Sequence, residues 1–262
     1  RFRNLGWSGD TVFAESRGIF DPPAKGYARM LEQVRELKPT VIMLNYGGNE
    51  AFNGPGYIDT FVKQYGQLLD DLSSTNARLV LVSPLPLFNA GPPLPKPDQH
   101  NVVRKQFVDA VKQLADDRSL HFIDVWSPVE QKLSLFSSKQ ITEEGVHLTN
   151  FGYGIVSTIF ARTLTGDLSS EIPSTEFGPS VAMLDVEELR QAIVEKNEMY
   201  FHRWRPQNVT YLFLFRKHEQ GNNAKEVDDF LPIISRLEER IFELKQKPPK
   251  VKAEVLKGNG NS

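Results

Sequence analysis

Cysteine is absent from all 262 residues, which excludes a disulfide framework, a thiolate-held metal and a cysteine nucleophile, and leaves the compartment open. An excess of one charge is absent too. Thirty-one Lys and Arg stand against 33 Asp and Glu, a net of −2, so the whole chain exerts no general pull on nucleic acid or an anionic lipid surface. Long apolar runs are missing as well: Val41-Ile42-Met43-Leu44 and Leu79-Val80-Leu81-Val82 are far shorter than the roughly 18 residues that suggest a membrane span. No segment repeats at solenoid length. Arg1-Phe2-Arg3-Asn4-Leu5 opens the chain with neither an initiator Met nor an apolar signal segment. It reads as the end of a strand, with a preceding segment expected, or else as an ordinary frayed terminus.

What is present suits one large domain, or one domain with an appendage, long enough to bury a full core. Tyr27, Met30, Leu31, Val34 and Leu37 recur at helical steps, and Pro39 ends that helix. Thr40 to Tyr46 reads as a short buried strand. Ile58, Phe61, Val62, Tyr65, Leu68, Leu69 and Leu72 mark a second helix, followed by a strand from Arg78 to Ser83 that Pro84 and Pro86 close. A third helix carries Phe107, Val108, Val111 and Leu114. His121 to Val125 is a third apolar strand, and a helix from Phe151 to Leu164 takes Thr149 or Asn150 as its cap. Near-continuous apolar strands between amphipathic helices imply a parallel sheet covered on both faces.

The pattern changes after about Gly166. A Ser-, Pro- and Gly-rich passage from 165 to 181 precedes a long helix with Val186, Leu189, Ile193, Tyr200 and Trp204, stopped at Pro206. The last helix places Phe230, Ile233, Ile234, Leu237, Ile241 and Leu244 on one face, which needs a partner surface. These divisions give an α/β domain over 1–165, a helical extension over 166–247 expected to pack on it, and a linker or tail over 248–262.

Parallel sheets present ligands at the carboxyl ends of their strands. Gly6-Trp7-Ser8-Gly9-Asp10-Thr11, Tyr46-Gly47-Gly48-Asn49-Glu50 and Glu143-Glu144-Gly145-Val146-His147-Leu148 are the segments to watch. Glycines let backbone N–H groups approach a ligand, Asn49 adds an amide donor, and together they suit an oxyanion hole. His147 suits a general base. An acid three residues earlier can reach its other ring nitrogen, and both Glu143 and Glu144 are candidates.

In these blocks the sequence resembles the SGNH or GDSL-type hydrolases over about residues 1 to 165. Asn4 to Thr11 is similar to the family's second block, which makes Gly9 the backbone oxyanion donor. Gly47-Gly48-Asn49-Glu50 is similar to its Gly-x-Asn-Asp block, with Asn49 as the side-chain donor and Glu50 in place of Asp. Glu144-Gly145-Val146-His147 is similar to Asp-x-x-His, again with Glu for Asp. The resemblance implies a three-layer flavodoxin-like fold and ester hydrolysis through a Ser-His-acid acyl-enzyme, with no cofactor, and a periplasmic or secreted setting. The family's serine sits in a Gly-Asp-Ser block upstream of anything present here. Ser8 belongs instead to the oxyanion block, and Ser83 reads as a strand terminator before Pro84. The nucleophile is therefore expected from a missing amino-terminal segment, or was never a serine. A narrower resemblance, carried by Phe2 to Thr11, Arg205-Pro206-Gln207-Asn208 and Phe215 to Ala224, is to GDSL-type domains of large multidomain proteins of planctomycete-like bacteria, whose first block can be degenerate. It implies neighbouring domains as partners.

Tyr200 to Asn223 combines six aromatic residues with Arg203, Arg205, Arg216, Lys217 and His218. Trp7, Arg205, Arg216 and His218 are candidate contacts for a small-molecule or carbohydrate ester; alternatively, the patch is an aromatic clasp that docks the extension onto the sheet's helices, with its charges solvated. One short basic patch on a near-neutral chain does not suit nucleic acid. His218-Glu219 lacks the second His of a zinc-protease motif, because Asn222 stands there, so no metal is indicated. Gly54-Pro55-Gly56 lacks the Lys of a phosphate loop and reads as a turn. His100 and His121 read as surface or packed residues. The competing functional class is a catalytically silent domain that binds carbohydrate or a neighbouring module.

Overall fold

The computed structural model describes residues 1–132, 136–166 and 181–246. The chain divides into a larger unit that starts at Gly6 and a smaller one that joins Arg1–Leu5 to the C-terminal helices. The Ser-, Pro- and Gly-rich passage and the tail from Pro248 fall outside the described residues.

In the larger unit α1 (Pro23–Leu37), α2 (Ile58–Ser73) and α3 (Asp98–Asp117) alternate with β1 (Val41–Leu44), β2 (Arg78–Val82) and β3 (His121–Ile123). α4 (Trp126–Lys132), α5 (Ser138–Ile141) and α6 (Asn150–Thr165) follow. The strands are parallel in the order β1-β2-β3, with Ile42 beside Leu79 and Leu81 beside Phe122. Side chains alternate across the sheet as strand geometry requires. Leu44 and Leu81 join Met30, Phe61, Tyr65 and Phe107 in a core under α1, α2 and α3. Val80, Val82 and Ile123 face the other way, onto Val129, Ile155 and Ile159 of α4 and α6. Helices therefore cover both faces, the expected three-layer α/β arrangement. β1 and β3 are shorter than the sequence suggested, because Asn45 leaves the ladder to bond the Val82 and Ser83 carbonyls, and Ser83 Oγ takes the N–H groups of Val125 and Trp126. Thr149 is the cap of α6, accepting from the Gly152 N–H at 3.1 Å.

The smaller unit holds α7 (Val181–Trp204), α8 (Val209–Leu212), α9 (Lys217–Gln220) and α10 (Phe230–Gln246). α10 packs along α7 and buries Ile234, Leu237 and Leu244, so its apolar face has a partner within its own unit. The buried stripe on α7 runs through Ala192, Lys196, Tyr200 and Trp204, one helical turn apart, while Ile193 of the sequence reading is exposed. Arg1–Leu5 form no strand, contrary to the sequence reading. They are held by side chains instead. Arg1 and Arg3 both bind Glu238, Arg3 lies 4.9 Å over the Tyr200 ring, and Lys196 Nζ donates to the Phe2 carbonyl at 3.0 Å.

Candidate active site

Gly47 leaves β1 at a φ of +103, the left-handed region where glycine is at ease, and turns the chain toward Asn49. Glu50 follows and is 1% exposed. One carboxylate oxygen accepts the Val12 N–H at 2.8 Å and the other the Gly47 N–H at 2.9 Å. Asn49 Nδ2 donates to the Asp10 carbonyl at 2.7 Å. These bonds sew the Gly9 loop to the Asn49 loop, so the two oxyanion donors read from the sequence stand on joined segments. Asn49 spends one amide hydrogen on Asp10, and the other has no partner among the described residues. Gly9 and Asn49 are both exposed.

The surrounding charges are buried in pairs or against backbone. Asp10 pairs with Arg17, and the Arg17 guanidinium lies 5.7 Å from the centre of the half-buried Trp7 ring. Arg104 of α3 donates to the Gly48 carbonyl at 3.1 Å, and burial pulls its pKa down to about 10, opposed by Glu50. Burial raises the Glu50 carboxyl, while the Val12 and Gly47 N–H groups oppose that rise.

The loop between α5 and α6 is closed by a bridge between Thr142 and Leu148 and by the Glu143 N–H on the His147 carbonyl at 2.9 Å. Gly145 sits at φ +93, and a Cβ there would come within 2.5 Å of the Phe88 carbonyl oxygen. That close approach lets the Phe88 N–H donate to the Gly145 carbonyl at 2.9 Å, fastening the loop to the segment that follows β2. Glu144 answers the choice left open between the two glutamates: its Oε1 accepts from the His147 backbone N–H at 2.9 Å and contacts His147 Nδ1. The backbone bond first, then the ring, hold the Glu144 carboxyl below the usual glutamate value. With Nδ1 facing a carboxylate, Nε2 is the ring nitrogen without a partner among the described residues.

Two pairs are thus brought together, Gly9 with Asn49 and Glu144 with His147, and both stand past the carboxyl ends of β1 and β2. Arg205, Arg216 and His218 belong to the smaller unit. Arg216 forks onto Glu219 at 2.6 and 2.9 Å and also bonds the Tyr211 hydroxyl; Arg205 lies 5.6 Å over the Phe201 ring; His218 is exposed 3.7 Å from Glu219. Among the described residues no hydroxyl is hydrogen-bonded to His147, and Ser83 is fully buried with its oxygen committed to two backbone N–H groups. Ser8 is exposed. An open groove of about 630 Å³ flanks the loop, lined by Lys139, Gln140, Glu143, Asn150 and Tyr153 among others. Among the described residues no group of His, Asp or Glu is arranged to hold a metal ion, and no helix is long and apolar enough to cross a membrane.

The brace made by Glu50 and the Phe88–Gly145 fastening escape sequence reasoning. Glu50 is visible there as a substitution beside Asn49, but its partner Val12 lies 38 residues away. His100, read as a surface or packed residue, stacks on Phe52 with ring centres 4.0 Å apart.

Residues 1–155 match the GDSL-like Lipase/Acylhydrolase family. No curated protein matches the chain. Among solved structures, two substituted forms of Axe2 from Geobacillus stearothermophilus, described as an acetyl xylan esterase and an acetyl-xylooligosaccharide esterase, are similar in fold. Each is 19% identical over 64% of this chain and 74% of that chain, with TM-scores of 0.51 and 0.50.

Proposed function

Because the chain belongs to the GDSL-like lipase/acylhydrolase family, we propose that it supports ester hydrolysis by an acyl-enzyme route in which His147 carries the proton. The observation that carries this reading is the Glu144 carboxylate on His147 Nδ1, which leaves Nε2 to take a hydroxyl proton. A serine oxygen attacks the ester carbonyl as its proton moves to Nε2. The Gly9 N–H and the Asn49 amide take the developing oxyanion, and the bond to the alcohol breaks as His147 returns the proton to it. Water then enters by the same route and frees the acid.

The serine, on this proposal, lies outside the 262 residues, on a strand beside β1. Two observations support the placement: Ser83 is sealed in the core, and among the described residues β1 pairs with β2 only, with Met43 37% exposed. A small acetyl or carbohydrate ester is the proposed substrate, supported by the groove's mixed lining, with Gln140 and Asn150 beside Leu148, Phe151 and the exposed Tyr153. Trp7 is the proposed contact nearest Gly9 in sequence. For Arg205, Arg216 and His218, the Glu219, Tyr211 and Phe201 contacts lie within the smaller unit and engage these side chains there, which weighs against substrate binding.

The second reading, a silent binding module, is favoured by the one observation that His147 has no hydroxyl partner among the described residues. Burst release of 4-nitrophenolate from 4-nitrophenyl acetate separates the two. The 262 residues alone should give none, and a longer form carrying a serine strand beside β1 should give a burst. A burst from the 262 residues would transfer the nucleophile to Ser8; none from the longer form would leave the binding module.

A further inference from the structure

We propose that Glu50 is a positioning residue that sets the spacing of the oxyanion donors, an inference resting on the hydrolase reading above. Three facts converge on it. Its carboxylate is sealed from water at 1% exposure. Its two oxygens are divided between two loops, one on Val12, three residues past Gly9, and one on Gly47, two residues before Asn49. A further bond across that seam comes from Asn49 itself, whose amide donates to the Asp10 carbonyl.

A carboxylate is suited to this task because it offers two acceptors and no donor. An amide of the same shape offers one acceptor and one NH2, which would meet a backbone N–H donor to donor. The seam would open at one end, leaving an unpaired N–H in the interior. The neighbouring cation supports the arrangement: Arg104 donates to the Gly48 carbonyl, between Gly47, which Glu50 holds, and Asn49. Displaced donors lose most where negative charge develops, so the damage falls on the transition state more than on the ground state.

The test compares E50Q with N49A and the double variant. In a form that turns over 4-nitrophenyl acetate, E50Q is expected to lower kcat by about tenfold to a hundredfold with KM within about twofold. N49A should add much less on the E50Q background than alone, since a misplaced donor has little left to lose. In parallel, acetate is titrated into the 262-residue chain while the Gly9 amide and the Asn49 side-chain amide are followed by NMR. Acetate should shift both in the unsubstituted chain, and E50Q should weaken that response at least about tenfold. If E50Q does not fold, E50D carries the test, keeping both acceptors on a shorter arm and expected to lose kcat without KM. Unchanged kcat and unchanged acetate response in a folded E50Q or E50D would overturn the inference and leave the hydrolase reading standing. An unsubstituted protein with neither turnover nor an acetate response would remove the hydrolase reading, and this inference with it.

Discussion

His147 is about three-quarters exposed, yet its ring is held through one carboxylate, so its orientation depends on Glu144 and on the turn that puts the two together. His147→Ala, in a form that turns over ester, should reduce kcat/KM at least about a thousandfold, and Glu144→Gln should cost less because the imidazole survives. Near-normal turnover of a chromogenic acetyl ester by His147→Ala would remove the proposed base. Gly145→Ala tests the turn itself. The substituted residue would carry both a left-handed φ and a Cβ driven onto the Phe88 carbonyl, so a loss of about 2 kcal/mol or more is expected in urea unfolding. At this scale the sequence exposed residue types and short-range spacing. The three-residue step from Glu144 to His147 was legible, as was the Gly-Gly-Asn turn. Preference for Glu144 over Glu143 was not, because it follows from which way one turn of chain faces.

Helices and strands were legible where apolar steps were regular. α3 buries all four residues its periodicity pointed to and α2 most of its seven, while α1 buries Met30 and Leu31 and leaves Tyr27, Val34 and Leu37 half-buried; Thr149 caps α6 as a threonine before a helix should. α7 resisted the same reading. Its buried stripe contains Lys196, 3% exposed, which a hydrophobicity pattern assigns to solvent, and Ala192, which such a pattern barely registers. Lys196 is tolerated there by the Phe2 carbonyl and the Asn197 side chain, contacts 194 residues and one residue away. Glu238 sits at the centre of this cluster, taking both Arg1 and Arg3. Glu238→Gln removes the anion and leaves the cations facing one another, so the smaller unit should lose about 2 kcal/mol, read by faster amide exchange along α7. Unchanged exchange would mean that the cluster contributes nothing to holding Arg1–Leu5.

For the molecule as a whole, the side of β1 away from β2, which has no strand partner among the described residues, is the feature with consequences in solution. Backbone groups along an unpaired parallel strand are a template for another chain, and Met43 adds an apolar side chain there. The 262-residue chain should therefore self-associate, and Met43→Lys should reduce light scattering severalfold at equal concentration, since a lysine on an edge discourages pairing. A monomeric unsubstituted chain that melts in one cooperative step would refute this. The layered α/β architecture could be read from the alternation of strand and helix patterns, and a separate helical extension from the change of pattern after about Gly166, whereas the grouping of Arg1–Leu5 with that extension could not. It depends on partners of Arg1–Leu5 that lie more than a hundred residues away, beyond the reach of any local pattern.

That division also bears on synthesis. The smaller unit is discontinuous: Arg3 waits for Glu238, 235 residues later, and at roughly 5–20 residues per second the wait is on the order of ten seconds or more. Throughout that interval the stretch from Gly6 onward, continuous in sequence, is free to build its sheet on the ribosome. Arg1–Leu5 are thus made before the α/β core yet fastened after it, so Phe2 and its neighbours are available to chaperones after that core has closed.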